Sequence, residues 1–149
     1  MTEEVLSAPH VMEFPYTRST GPVVGAFLTG LRDQKVLAYK ASDGRVICPP
    51  PEFDAANNAP VDAAGLVEVG PEGVVTSWSW NPLPRNGNPF DRPFAWALVK
   101  LDGADTGLLA AVDTGTAEKV STGMRVSAKF ADAPTGTIRD LVCFVPEGA

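Results

Sequence analysis

The residues able to do chemistry are few, and none stands in a pattern that chemistry requires. His10 is the only histidine. Proton transfer in active sites most often uses this side chain, but His10 lies near the N-terminus with no adjacent Ser, Cys or acid pattern, and it reads as a solvent-exposed residue. No G-x-S-x-G elbow anchors a nucleophilic serine. Cys48 and Cys143 are the only cysteines, too few for a four-thiolate metal site or a disulfide framework. They read as free, partly buried thiols. C-x-x-C, H-E-x-x-H, G-x-x-x-x-G-K-S/T and G-x-G-x-x-G are all absent. Asp102 and Asp105 flank Gly103 like a fragment of a calcium loop, but the remaining ligands and the terminal Glu are missing. A hairpin turn is the better reading.

What the sequence does concentrate is aromatic side chains: Trp78, Trp80, Phe90, Phe94 and Trp96 fall within twenty residues. Three readings stand beside one another. They form a core with a cover over it, or a surface for a protein or a ligand, or a platform on which nucleic-acid bases stack. Base stacking calls for interleaved Lys and Arg, and only Arg85, Arg92 and Lys100 lie near. The net charge of −6 argues against binding phosphate backbones. Between Trp80 and Phe94 runs NPLPRNGNPFDRP, a proline-rich loop that suits recognition because it has little freedom to lose.

The elements that must position these residues are short. Fourteen Gly and fourteen Pro in 149 residues favour brief elements separated by turns. Residues 1–15 read as an arm, ordered only if something holds it. Ser19 or Thr20 can cap a short helix with Pro22 in its first turn and Val23, Val24, Phe27, Leu28 and Leu31 on one face. Ser42-Asp43-Gly44 joins Val36–Ala41 to Arg45–Cys48 as a β-hairpin, and Pro49, Pro50 and Pro51 end it. Residues 52–64 read as a linker.

From Gly65 onward strand-like runs follow one another. Alternation places Val74, Thr76, Trp78 and Trp80 on one face of the first long strand. The next strand is apolar on both faces, with Phe94, Trp96 and Leu98 against Ala95, Ala97, Val99 and Leu101, so it is central or covered on both sides. Three strands in a meander, a connection too short for a long helix, then two more strands give the order of a small closed barrel of the OB type. The expected fold class is mainly β: a five-stranded OB-fold barrel (65–149) preceded by an arm and short helix (1–34) and a ribbon-like hairpin with linker (35–64). No run approaches the roughly 20 apolar residues that span a bilayer. The start MTEEVLSAPHVMEF has acids where a signal peptide needs bases, and the expected location is the cytoplasm.

The ordered set of these features resembles the acyl-CoA-associated OB-fold family, long labelled a domain of unknown function. The likeness runs from about Tyr16 to Phe144. It rests on GPVVGAFLTGLRDQKVL, SDGRVICPPPEFD, GPEGVVTSWSW, RPFAWALVKLDGADTGLL, GMRVSAKF and IRDLVCFVP taken together. The resemblance implies a rubredoxin-like zinc ribbon before the barrel, with one Cys pair near Tyr39 and Ser42 and a second near Phe53 to Asn57. None of these is Cys, so no zinc is expected, and the ribbon is expected to be held by apolar packing through Tyr39, Val46, Ile47 and Phe53.

The resemblance also implies a role without catalytic residues. The chain would be an accessory subunit that stabilises a thiolase-like or lipid-transfer-type partner, such as a thiolase, acyltransferase or steroid side-chain aldolase, and helps shape its acyl-CoA pocket. The surface that meets partner or acyl chain is placed on Tyr16, Phe27, Trp78, Trp80, Phe90, Arg92, Phe94 and Trp96. Acyl-CoA is the expected ligand of the complex, in a hetero-oligomer with no nucleic acid and no membrane. Two alternatives differ in class: a single-stranded nucleic-acid-binding OB-fold protein, and a stand-alone enzyme acting on acyl-CoA through Cys48 or Cys143.

Overall fold

The computed structural model describes Val5 and residues 7–148. Helix α1 spans Gly21–Arg32, with Thr20 at its N-cap and Pro22 in the first turn. The Thr20 side chain makes no capping bond; the Ser19 hydroxyl instead accepts from the Gly21 amide at 3.3 Å. Val23, Phe27, Gly30 and Leu31 form the buried stripe, the spacing of one helical face. Gly30 is required by close approach: a Cβ there would sit 3.1 Å from the Lys35 carbonyl oxygen and 3.0 Å from the Leu37 side chain.

The hairpin forms as β1 (Val36–Lys40) and β2 (Val46–Ile47). Its turn is tied by Ala41 N–H to the Arg45 carbonyl at 2.7 Å. A third strand, β3 (Val67–Val69), pairs antiparallel with the other edge of β1, Ala38 opposite Val67. The first strand after residue 65 thus pairs with the ribbon and not with the barrel strands. Val67–Val69 completes the ribbon sheet, and barrel pairing begins at Glu72, beyond Pro71, which has no N–H to give to a ladder.

The barrel consists of β4 (Glu72–Asn81), β5 (Phe94–Leu101), β6 (Gly107–Val112), β7 (Arg125–Phe130) and β8 (Leu141–Pro146). It closes in the order β4-β5-β6-β8-β7, with β7 returning to pair with β4. β6 and β8 run parallel at Val112 and Phe144; the other neighbours are antiparallel. A single 3-10 turn at Ala117–Lys119 lies between β6 and β7, the short connection expected there. Val75, Ala95, Ala97, Val99, Leu101, Val112, Val126 and Phe144 fill the interior. The small residues on β5 suit so narrow a cylinder. Gly73 marks a tight crossing, since a Cβ there would stand 2.6 Å from the Lys100 carbonyl oxygen.

Phe27 and Leu31 of the helix, and Val36, Ala38, Cys48 and Val69 of the ribbon, join the same continuous core. The β5–β6 turn LDGADT fastens ribbon to barrel. Asp105 accepts from the Val46 amide at 2.8 Å and its own amide donates to the Val46 carbonyl at 2.7 Å. The Thr106 hydroxyl accepts from the Cys48 amide and donates to the Cys48 carbonyl, at 2.8 and 2.9 Å.

Two expectations fail on particular residues. Simple alternation along β4 breaks at a β-bulge between Val75 and Ser77. One extra residue there reverses the faces beyond it. Trp78 stands opposite Ala97 and Trp80 opposite Ala95, on the side of the interior residues, whereas Thr76 turns out and donates its hydroxyl proton to the Leu98 carbonyl at 3.0 Å. The ribbon is not closed by Phe53, which is exposed. A buried carboxylate, Asp54, occupies its tip instead.

Candidate functional site

β5 carries two apolar faces, as expected, and its outer face is covered only in part. Phe94 is fully buried beneath the β4–β5 loop, together with Ala111 and Cys143, and Phe90, Trp96, Val142 and Val145 pack around them. Phe90 and Trp96 meet Phe94 edge to face, with ring centroids 5.6 and 5.1 Å away, the arrangement that the ring quadrupole favours.

Arg92 holds the loop down. Its guanidinium lies 4.8 Å from the Phe90 ring centroid and donates two bonds, 2.8 and 2.6 Å, to the Asp113 carboxylate at the end of β6. This two-pronged bond keeps Asp113 below the usual carboxylate range. Asn88 shapes the loop from within, its side-chain oxygen accepting from the Arg85 amide at 3.0 Å and the Asn81 side chain at 3.2 Å.

Past Trp96 the cover stops. Leu98 and Leu109, opposite one another on β5 and β6, are 40 % and 65 % exposed. Beside them lies a groove of about 440 Å³. Its floor is Trp96, Leu109, Ala111 and Val142, and its walls are Gly87–Pro89 on one side and Ile138 and Arg139 on the other. The Ile138 wall is built by Asp140, a buried carboxylate that accepts backbone N–H bonds from Thr135, Gly136 and Thr137 at 2.9, 2.6 and 3.2 Å. These bonds, that of Thr135 foremost, depress its pKa.

The structure brings together only some of the residues assigned to the surface. Phe90, Arg92 and Trp96 meet at the outer face. Phe94 underlies it, and Phe27 lies in the main core. Trp80 is partly buried against that core, and Trp78 is exposed. Tyr16 stands free in the arm, where every residue from Val11 to Thr20 is exposed. The three tryptophans therefore do not share one face. Leu109, Ile138 and Asp140 were missed. The signal for Asp140 was present in Thr137-Ile138-Arg139-Asp140, a capping box.

Nothing among these residues activates a nucleophile. Cys48 and Cys143 are free and buried. Burial raises their pKa to about 12 and about 11, far from the depressed values of reactive thiols. Among the described residues no group of three or more His, Cys, Asp or Glu is placed to hold a metal ion, and no helix is long and apolar enough to cross a membrane.

The closed order, with the third barrel strand parallel to the fifth and the fourth returning to the first, defines an OB-fold protein. Residues 66–131 match the ChsH2 C-terminal OB-fold domain. A DUF35-family protein of unknown function from Sulfolobus solfataricus superposes with a TM-score of 0.58 at 24 % identity, over 73 % of this chain and 78 % of that one. The Ltp2-ChsH2(DUF35) aldolase superposes with a TM-score of 0.60 at 21 % identity, over 80 % and 91 %. No curated protein matches. The barrel is similar to the ChsH2 C-terminal OB-fold domain over those residues, and the chain shares the fold of the two solved structures.

Proposed function

We propose that this chain is a non-catalytic accessory subunit of a cytoplasmic acyl-CoA-processing complex. It stabilises a thiolase-like or lipid-transfer-type partner and contributes an apolar wall to that partner's acyl-CoA pocket. One observation carries the reading: the groove at Trp96, Leu109 and Ile138 is open and apolar, while no nucleophile and base adjoin it. A surface built to bind but not to react needs its chemistry from elsewhere. The groove's volume falls within the range of small-molecule sites. The partner in the Ltp2-ChsH2(DUF35) aldolase supports a hetero-oligomer as the setting. The net charge of −6 and the aliphatic, not aromatic, exposed pair Leu98 and Leu109 at the groove disfavour single-stranded nucleic acid there.

Co-expression with a thiolase-like protein tests this. A stable complex, with acyl-CoA turnover that neither chain shows alone, is the expected outcome. A chain that remains monomeric beside such partners, or that turns over acyl-CoA by itself, would overturn it.

A further inference from the structure

The two loops at the tip of the ribbon converge on Asp54, which is only 1 % exposed. One carboxylate oxygen accepts the Tyr39 hydroxyl proton at 3.0 Å and the Ser42 amide at 2.8 Å. The other accepts the Ala56 amide at 2.8 Å. The backbone of Asp54 closes the second loop on itself: its amide donates to the Ala59 carbonyl at 2.8 Å, and its carbonyl accepts from Asn58 at 2.7 Å. The carboxylate is shielded by its own donors rather than by depth in a core.

Tyr39 and Ser42 stand where the family resemblance implies one pair of zinc ligands, and Asp54 and Ala56 fall within the stretch implied for the second. The residues present do not fit a zinc ion. Tetrahedral zinc gathers deprotonated thiolate, imidazole or carboxylate donors around a cation. Here three hydrogen-bond donors gather around one anion, and the described residues hold no cluster of three or more metal-ligating acids, Cys or His. A cation at this position would face two amide N–H groups directed towards it.

We infer that Asp54 takes the fastening role of a metal, a single carboxylate joining the two ribbon loops by hydrogen bonds, so that the ribbon folds without zinc. The Ser42 and Ala56 amides lead in holding its carboxyl down to about 2, which keeps it ionised at neutral pH. Asp54 acts as a positioning residue. The tip it closes belongs to the sheet that Asp105 and Thr106 dock on the barrel. The inference is independent of the partner reading.

The test uses the full chain. Metal analysis of the purified protein is expected to find zinc far below one ion per chain, and EDTA is expected to leave the melting temperature unchanged. Asp54→Asn keeps the shape but turns an amide NH₂ towards existing donors. It is expected to lower Tm by about 5–9 °C and to speed exchange of the Ser42 and Ala56 amides about tenfold or more. One zinc per chain, a chelator-induced fall in Tm, or an Asp54→Asn protein with unaltered melting and exchange would each overturn the inference. Should Asp54→Asn fail to fold, the metal and chelator measurements on the unaltered chain still decide.

Discussion

Leu98 and Leu109 face each other across β5 and β6, on the wall of the barrel that points away from its filled interior. Two leucines paired in water gain little for the fold, because their burial is incomplete in the free chain. The pair adjoins the open end of the groove, with Trp96 one step further along the same face of β5.

Charging that face separates folding from assembly. Leu109→Asp is expected to leave the urea unfolding midpoint of the isolated chain nearly unchanged, within about 0.5 kcal/mol in stability. The same substitution is expected to abolish association with a thiolase-like partner. Analytical ultracentrifugation of the mixture reads the second effect. Undiminished association would place the docking surface elsewhere.

Acid is expected to loosen the Ile138 wall. The Asp140 carboxyl is depressed in the folded chain, so its stabilisation is complete above the ordinary aspartate pKa of about 3.9. It is lost as pH falls through the lower folded-state value. Asp140→Asn should therefore be less stable than the unaltered chain at pH 7, with the two converging as pH falls below about 4. Urea titrations at stepped pH measure the gap. A gap constant down to pH 2.5 would dissociate this carboxylate from the wall.

The thiols offer a third check. With pKa values raised to about 12 and 11, neither Cys48 nor Cys143 should react appreciably with a disulfide reagent at pH 8 in the native chain. Both should react once it is unfolded in denaturant. Rapid labelling of the native protein would reopen the reading of this chain as a thiol enzyme.

The sequence displayed the barrel wherever local pattern and tertiary environment agree. β5 announced its two apolar faces because Ala95, Ala97, Val99 and Leu101 alternate with Phe94, Trp96 and Leu98, and the hairpin announced its turn through Asp43-Gly44. The pattern failed where one residue changes the phase. A bulge cannot be seen in VVTSWSW, since Thr76 is as good a strand former as its neighbours, and the bulge alone decides which way Trp78 and Trp80 turn.

Val67–Val69 looks like a barrel strand for a related reason. Its composition suits any sheet, and only the position of β1 determines which one it joins. Asp54 escaped notice because a buried carboxylate and a solvated one read alike in a polar loop. Its role follows from donors brought in from Tyr39 and Ser42, more than ten positions away. The groove was illegible for a similar reason: Leu109 and Ile138 lie far apart in the chain, and each alone looks like an ordinary interior residue.

The path of the backbone through β3 sets where this protein can be cut and rejoined. Val67–Val69 follows the long loop yet belongs to the earlier sheet, and Val46 and Cys48 are laced to Asp105 and Thr106. A chimera that exchanged barrels between relatives at residue 65 would carry off one edge of the donor's ribbon and leave the recipient's sheet a strand short. The seam that keeps each sheet whole falls at Gly70-Pro71, and even there the new turn must bring its own Asp and Thr to grip the ribbon it inherits.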